Sequence, residues 1–191
     1  MPVAPIDPAA ATAILDAALP LRTDRLVLRA FAPHDLDAFR AYQSDPATVR
    51  YLWRPPLTEQ QLAARVSEAP VLAKDGDAYG IAIEHAGALV GETVVKLTDA
   101  AARQAEIGWI LAPEHRGRGY ALEAGRAALD LALAIGAHRV TAVLDHENQA
   151  SARIAERLGM RREAVLLEDG VNGATGELGS TEIWAILARE R

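Results

Sequence analysis

The run Arg116-Gly117-Arg118-Gly119 sets two arginines and two glycines between a short apolar stretch and a long apolar-periodic one. Those residue types suit an anion. Glycine lets the backbone come close and takes positive φ without steric cost. Arginine adds charge-assisted donors, and a following helix offers free N–H groups and a positive end. A phosphate fits this pattern best, although a plain strand-to-helix turn stays open. Two known phosphate loops do not match. A Walker A loop needs Lys-Ser or Lys-Thr after its last glycine, and Gly119 is followed by Tyr120-Ala121. A dinucleotide fingerprint needs a third small residue where Leu122 stands, and an acid about 20 residues further on.

The elements around the loop must hold it between strand and helix. Ile107 to Ala112 is an apolar run broken by Pro113 and predicts a buried strand. Leu122, Ala124, Ala127, Ala128, Leu131, Ala132 and Ile135 recur with helical period, and Gly136 is a good C-cap. Upstream, Arg25 to Ala30 alternates as a first strand. Pro33 to Tyr42 reads as a helix stopped at Asp45-Pro46, and Tyr51 to Pro56 as an aromatic, proline-stiffened loop. Thr58 and Gln61 form a capping box opening a helix to about Val71. Tyr79 to Glu84 and Ala88 to Leu97 predict a hairpin, in which Gly91 marks a bulge or a close backbone contact.

Downstream, Arg139 to Leu144 reads as a strand, Asn148 to Leu158 as a helix closed by Gly159, and Met160 to Glu168 as a strand. Asp169 to Gly179 carries four glycines and reads as a mobile hairpin tip before a last strand, Thr181 to Ala188. Residues 1–20, rich in Ala and Pro with a capped helix from Asp7-Pro8, are expected to form an arm outside the core, and 21–191 a single domain. The order predicts a mixed α/β domain with a largely antiparallel sheet.

Composition narrows the function. The chain has 191 residues, half of them hydrophobic, enough for a sizeable core. No apolar run approaches the roughly 18 residues of a membrane span, and no basic segment precedes an apolar one at the N-terminus. Cysteine is absent, which removes thiolate catalysis and zinc–thiolate sites and favours a cytoplasmic home. A net charge of −6 argues against a nucleic-acid partner. His34, His85, His138 and His146 show no metal-ligand spacing, so no metal is expected.

Five segments carry a broader resemblance: Leu21 to Leu26, Glu106 to Trp109, Arg116 to Ala121 with Glu123-Ala124, Asn148 to Ser151, and Leu158 to Met160. In this order, over roughly residues 21–188, they resemble the GNAT N-acetyltransferase superfamily and, within it, the branch that acetylates N-termini of ribosomal proteins. The acetyl-CoA loop of that superfamily is Arg/Gln-x-x-Gly-x-Gly/Ala, filled here by Arg116, Gly119 and Ala121. The resemblance implies a twisted, mixed sheet of about seven strands flanked by helices and splayed at the central strand to hold acetyl-CoA. It implies transfer of the acetyl group to a primary amine, either a protein N-terminal α-amine or a small molecule. The competing class is a noncatalytic acyl-CoA-binding module. A monomer and a homodimer are both open.

What the resemblance implies residue by residue is as follows. The loop Arg116, Gly117, Arg118, Gly119, Tyr120 and Ala121 grips the pyrophosphate, with His115 beside it. Trp109, Ile110 and Leu111 offer backbone to the pantetheine and polarise the thioester carbonyl. Many members place an acidic tyrosine seven residues after the asparagine, but that position is Ala155 here. Ser151 then becomes the group to protonate the thiolate, with Asn148 on the pantetheine, unless the pair only starts a helix.

An α-amine with pKa about 7.8 is roughly 15% neutral at pH 7, against about 0.04% for a lysine amine. An α-amine therefore needs only a weak base or a water relay. Glu106 is the first candidate, or else a salt-bridged strand-end carboxylate. Glu168 and Asp169, beside the mobile hairpin, are alternative bases, and Trp53 in the stiff loop is either an acceptor-side residue or a plain surface anchor.

Overall fold

The computed structural model describes residues 4–191. Its spine is an eight-stranded sheet in the order β1-β2-β3-β4-β5-β6-β8-β7. The strands are β1 (Leu21–Arg22), β2 (Val27–Arg29), β3 (Ala78–His85), β4 (Ala88–Asp99), β5 (Gln104–Leu111), β6 (Arg139–Asp145), β7 (Arg161–Val171) and β8 (Leu178–Leu187). Neighbours are antiparallel except β5 and β6, which are parallel. The expected first strand, Arg25 to Ala30, is β2; a further short strand, β1, pairs with it, and the count rises from about seven to eight. β5 returns to β6 through the long helix α5 (Tyr120–Ala134), while β8 inserts between β6 and β7.

Alternation along the strands divides the core. Ile81, Ile83, Ile107 and Val95 face α5 and α6 (Gln149–Arg157). Ala82, Leu89 and Ile110 face α2 (Leu36–Gln43) and α4 (Glu59–Ser67), where Phe39, Tyr42, Leu62 and Val66 are buried. The capping box at α4 is present, with Gln61 N donating to Thr58 Oγ1 and Thr58 N to Gln61 Oε1. The helix ends at Ser67 rather than near Val71, because Pro70 disfavours helical backbone at the residue before it. A short helix α3 (Pro46–Val49) and a 3-10 turn, Arg50–Leu52, occupy what reads in sequence as a helix stop followed by a loop; Pro46 starts the new turn.

The N-terminal segment is a correction. Residues Pro8–Ala18 form a helix, α1, capped by Asp7, but not an arm outside the core. Ala11 and Leu15, four apart on one helical face, are buried in the same cluster as α5, and Tyr79 Oη donates to Asp16 at 2.5 Å. The first three residues of that segment lie outside the described range.

Candidate active site

β5 and β6 pair only at Gln104↔Arg139, Ala105↔Val140 and Glu106↔Thr141. Beyond Glu106 each strand follows its other neighbour. β5 stays registered with β4 as far as Gly91↔Leu111, and β6 with β8 as far as Asp145↔Thr181. The two strands therefore part, and backbone groups along the gap need a ligand or water. A cavity of about 670 Å³ fills the gap, lined on one side by Gly108 to Leu111 and on the other by Val143 to Asp145. That volume suits an organic ligand. At its upper edge, a Cβ on Gly91 would lie 2.2 Å from the Ile110 carbonyl. The neighbouring register shift, Ile83↔Gly91 then Glu84↔Leu89, bulges β4 at Val90. Gly91 thus marks both a bulge and a close contact.

The glycine loop enters the same cavity. Gly117 and Gly119 have φ of +75° and +82° and both line it, as does Ala121. Gly119 is the N-cap of α5 and has no side chain to cap it, so the first N–H groups of the helix remain available to an anion. Arg116 turns inward instead of outward: its Nε donates to the Leu111 carbonyl at 3.1 Å and its Nη2 to Thr48 Oγ1. It fixes the loop between β5 and α3. Arg118 is exposed and outside the cavity lining. The Tyr120 ring is buried against His85 and beneath Arg25, so only its backbone belongs to the loop.

A brace on this loop had no role in the sequence reading. Arg25 Nη1 donates to the Arg118 carbonyl at 2.8 Å and Arg25 Nη2 pairs with Glu123 Oε2 at 2.7 Å. Glu123 also accepts from Thr23 Oγ1 at 2.6 Å and from the Arg25 N–H at 2.8 Å. Burial pushes the Glu123 carboxyl up, but the Thr23 and Arg25 donors outweigh it and hold it below the usual carboxylate range. In sequence, Arg25 and Glu123 stood out only as motif residues, because the Thr23–Arg25 turn meets α5 in space alone.

On the α5 side of the gap, Trp109 Nε1 donates to Ser151 Oγ at 3.3 Å. The Ser151 oxygen thus accepts, and its own proton stays free to be donated. Asn148 caps α6, its Oδ1 accepting from the Ser151 N–H at 3.1 Å. Both line the cavity. Ala155, at the position where many members carry the tyrosine, is fully buried in the core.

The carboxylates are arranged differently from the sequence expectation. Glu106 lies outside the cavity lining, where β5 and β6 are still paired, and faces Lys96 Nζ at 3.6 Å. Glu168 is exposed beside a register shift, and Asp169 is engaged with Thr181 N and Oγ1 at 3.0 and 2.7 Å. The Trp53 ring packs against Gly170 and Gly179 on the hairpin rather than facing the cavity. The hairpin tip is not free either: Asn172 Nδ2 donates to the Arg50 carbonyl at 2.6 Å.

Two carboxylates line the cavity: Asp145, which accepts from the Trp53 indole and the Glu147 N–H, and Glu92, paired with Ile110 across β4 and β5. Burial pushes the Glu92 carboxyl up, against the pull of Arg65, Arg54 and Gln43. The available signal was a lone acid inside the apolar run Leu89 to Val95.

The comparisons with known proteins agree with this geometry. The family profile described as an acetyltransferase (GNAT) domain matches residues 25–161. The uncharacterized N-acetyltransferase p20 of Bacillus licheniformis is 28% identical over 174 residues, 89% of this chain and 97% of that protein. Among solved structures, a GNAT-family acetyltransferase from Bacillus anthracis is 28% identical with a TM-score of 0.75, covering 87% of this chain and 96% of that one. Two more distant structures share the fold. Spermidine N-acetyltransferase from Vibrio cholerae, in complex with CoA and spermine, has 22% identity, a TM-score of 0.73 and coverage of 88% and 98%. RimL, a ribosomal L7/L12 α-N-protein acetyltransferase in complex with CoA, has 17% identity, a TM-score of 0.74 and coverage of 88% and 97%. Among the described residues no helix is long and apolar enough to cross a membrane.

Proposed function

The chain belongs to the GNAT acetyltransferase family, and on that premise we propose that this acetyl-CoA-dependent N-acetyltransferase acts on an α-amine, that of a peptide N-terminus or of a molecule of amino-acid size. Acetyl-CoA supplies a thioester carbonyl open to direct attack by the amine, with the thiolate as leaving group. One observation carries the reading: a single cavity runs from the glycine loop through the gap between β5 and β6 to the face covered by α2 and α4.

Each residue set has a part in it. The N–H groups from Gly117 to Ala121, at the start of α5, hold the pyrophosphate. The free backbone of Trp109 to Leu111 holds the pantetheine and polarises the carbonyl. Ser151, oriented by Trp109, donates its proton to the leaving sulfur. Glu92 is the carboxylate best placed to draw the proton from the amine, and a peptide N-terminal α-amine, roughly 15% neutral at pH 7, asks little of it. The RimL and spermidine neighbours mark the two acceptor types to be separated, a protein N-terminus and a polyamine.

The test is acceptor-dependent CoA release across N-terminal peptides, amino acids and polyamines. Release with α-amines above all supports the proposal. Tight acetyl-CoA binding without release for any amine would favour a binding module instead.

A further inference from the structure

Two guanidinium groups share the part of the cavity covered by α2 and α4, with one carboxylate between them. Arg65, on α4, approaches Glu92 Oε2 at 3.4 Å. It lies over Gly80, where a Cβ would stand 2.2 Å from its Nη2 and would make the guanidinium shift. Arg54, beyond the α3 turn, donates to the side chain of Gln43 and to the Pro55 carbonyl. Among the described residues no carboxylate comes within ion-pair distance of Arg54; it reaches Glu92 only through Gln43, which donates to Glu92. The buried Tyr42 hydroxyl, in the same charge cluster, has no partner.

The charges do not balance. Glu92 is only 7% exposed and can neutralise one guanidinium. An arginine stays protonated in a protein, and even partial withdrawal of its charge from water, as for Arg54 and for Arg65 at 32% exposure, has a cost that a counter-charge offsets. Burial does lower the Arg54 pKa, which records that cost. The pyrophosphate cannot be the missing anion if it sits at α5, because α5 packs on the opposite face of the sheet from Glu92, Gly80 and Arg65.

We infer that the acceptor amine carries an anionic group on its own skeleton, a carboxylate or a phosphate, that docks on Arg54 and Arg65 as the amine reaches Ile110. This rests on the acetyltransferase reading above. A bidentate guanidinium–oxyanion pair in this partly sheltered pocket confers selectivity. A polyamine, by contrast, would add positive charge to an excess of it.

The experiment uses the whole protein and matched amines: glycine against glycinamide, alanyl-glutamate against alanyl-glutamine amide, O-phosphoethanolamine against ethanolamine, and spermidine. CoA release is measured at saturating acetyl-CoA, and binding of the same amines is measured by calorimetry with CoA present. The anionic member of at least one pair is expected to exceed its neutral partner about tenfold or more, with spermidine lowest. Which pair shows it separates carboxylate from phosphate. Arg65→Gln and Arg54→Gln should each erase that difference and leave the acetyl-CoA KM unchanged.

Equal or better use of the neutral amines or of spermidine overturns the inference, even though turnover itself would uphold the acetyltransferase reading. A rise in acetyl-CoA KM in the variants overturns it as well. Anionic preference in binding without turnover would uphold anion docking on Arg54 and Arg65 but overturn the assignment of that molecule as the acceptor, together with the α-amine proposal. If no member is either bound or turned over, the inference is overturned.

Discussion

The indole Nε1 of Trp53 donates to Oδ2 of Asp145 at 2.8 Å. That bond joins the turn after α3 to the far end of β6, beyond the point where β6 leaves β5. The Trp53 ring lies between Gly170 and Gly179, where a Cβ would come within 3.1 and 2.6 Å of it. The glycines of the β7–β8 hairpin therefore form a cradle for the ring. One tryptophan holds together the α3 turn, the hairpin and the open end of the gap.

Trp53→Ala should remove this clasp. Loss of a large, partly buried ring is expected to cost about 2 kcal/mol or more in stability, read as a shift in urea midpoint. The acceptor KM should rise more than the acetyl-CoA KM, since the released turn carries Arg54. Trp53→Phe should recover most of the stability but not the tie to Asp145. Equal change in both KM values would count against a role on the acceptor side.

Gly119→Glu should weaken acetyl-CoA binding tenfold or more by calorimetry. The position has φ of +82° and opens α5, so the variant adds strain, bulk and negative charge where the N–H groups point. Unchanged affinity in a folded variant would remove the pyrophosphate from this loop.

Ser151→Ala should lower kcat while leaving the acetyl-CoA KM nearly intact, because the donated proton matters only as charge develops on sulfur. The expected loss is about 10²-fold, the low end for a general acid, since a thiolate near pKa 8.5 leaves readily. Lost stability and affinity with kcat preserved would make Ser151 a helix-start residue only.

Glu106→Gln should leave the acidic limb of the pH profile of kcat/KM where it is. Its carboxylate lies outside the cavity, beside Lys96. A shift of that limb toward the pKa of the acceptor amine would restore Glu106 as the start of a water relay, with Glu92 reduced to a counter-charge.

Glu123→Gln should destabilise the protein and weaken acetyl-CoA binding at neutral pH, since it releases Arg25 from the loop. The effect has a definite pH sense. The Glu123 carboxyl is held below its ordinary value in the folded protein, so its contribution is present above about pH 4.5 and is lost as pH falls through the lower, folded value. The melting temperatures of wild type and variant should differ at pH 7 and converge in acid. A difference that stayed constant with pH would assign the effect to packing.

Local sequence determined a good deal. Apolar runs, helical periods, the Thr58 capping box, the Asn148 cap and the positive-φ glycines act over a few residues, so strands, helices and the anion loop were legible where these signals stood. The hidden parts are those that depend on distant segments. Where β5 parts from β6 follows from the allegiance of each to a third strand, β4 and β8, and no local pattern records it. Glu106 and Glu92 are both acids on strands, and only the end point of the β5–β6 pairing puts one behind the cavity wall and the other on it. The helix α1 reads as a detachable arm until the buried Leu15 and the Tyr79–Asp16 bond show it packed on the sheet. The charge excess at Arg54 and Arg65 needs segments from α2, α3, α4 and β4 to meet, because electrostatic balance belongs to groups within a few ångströms of one another. Residue types determined which chemistry the chain could perform; the divergence of two strands decided which of those residues face it.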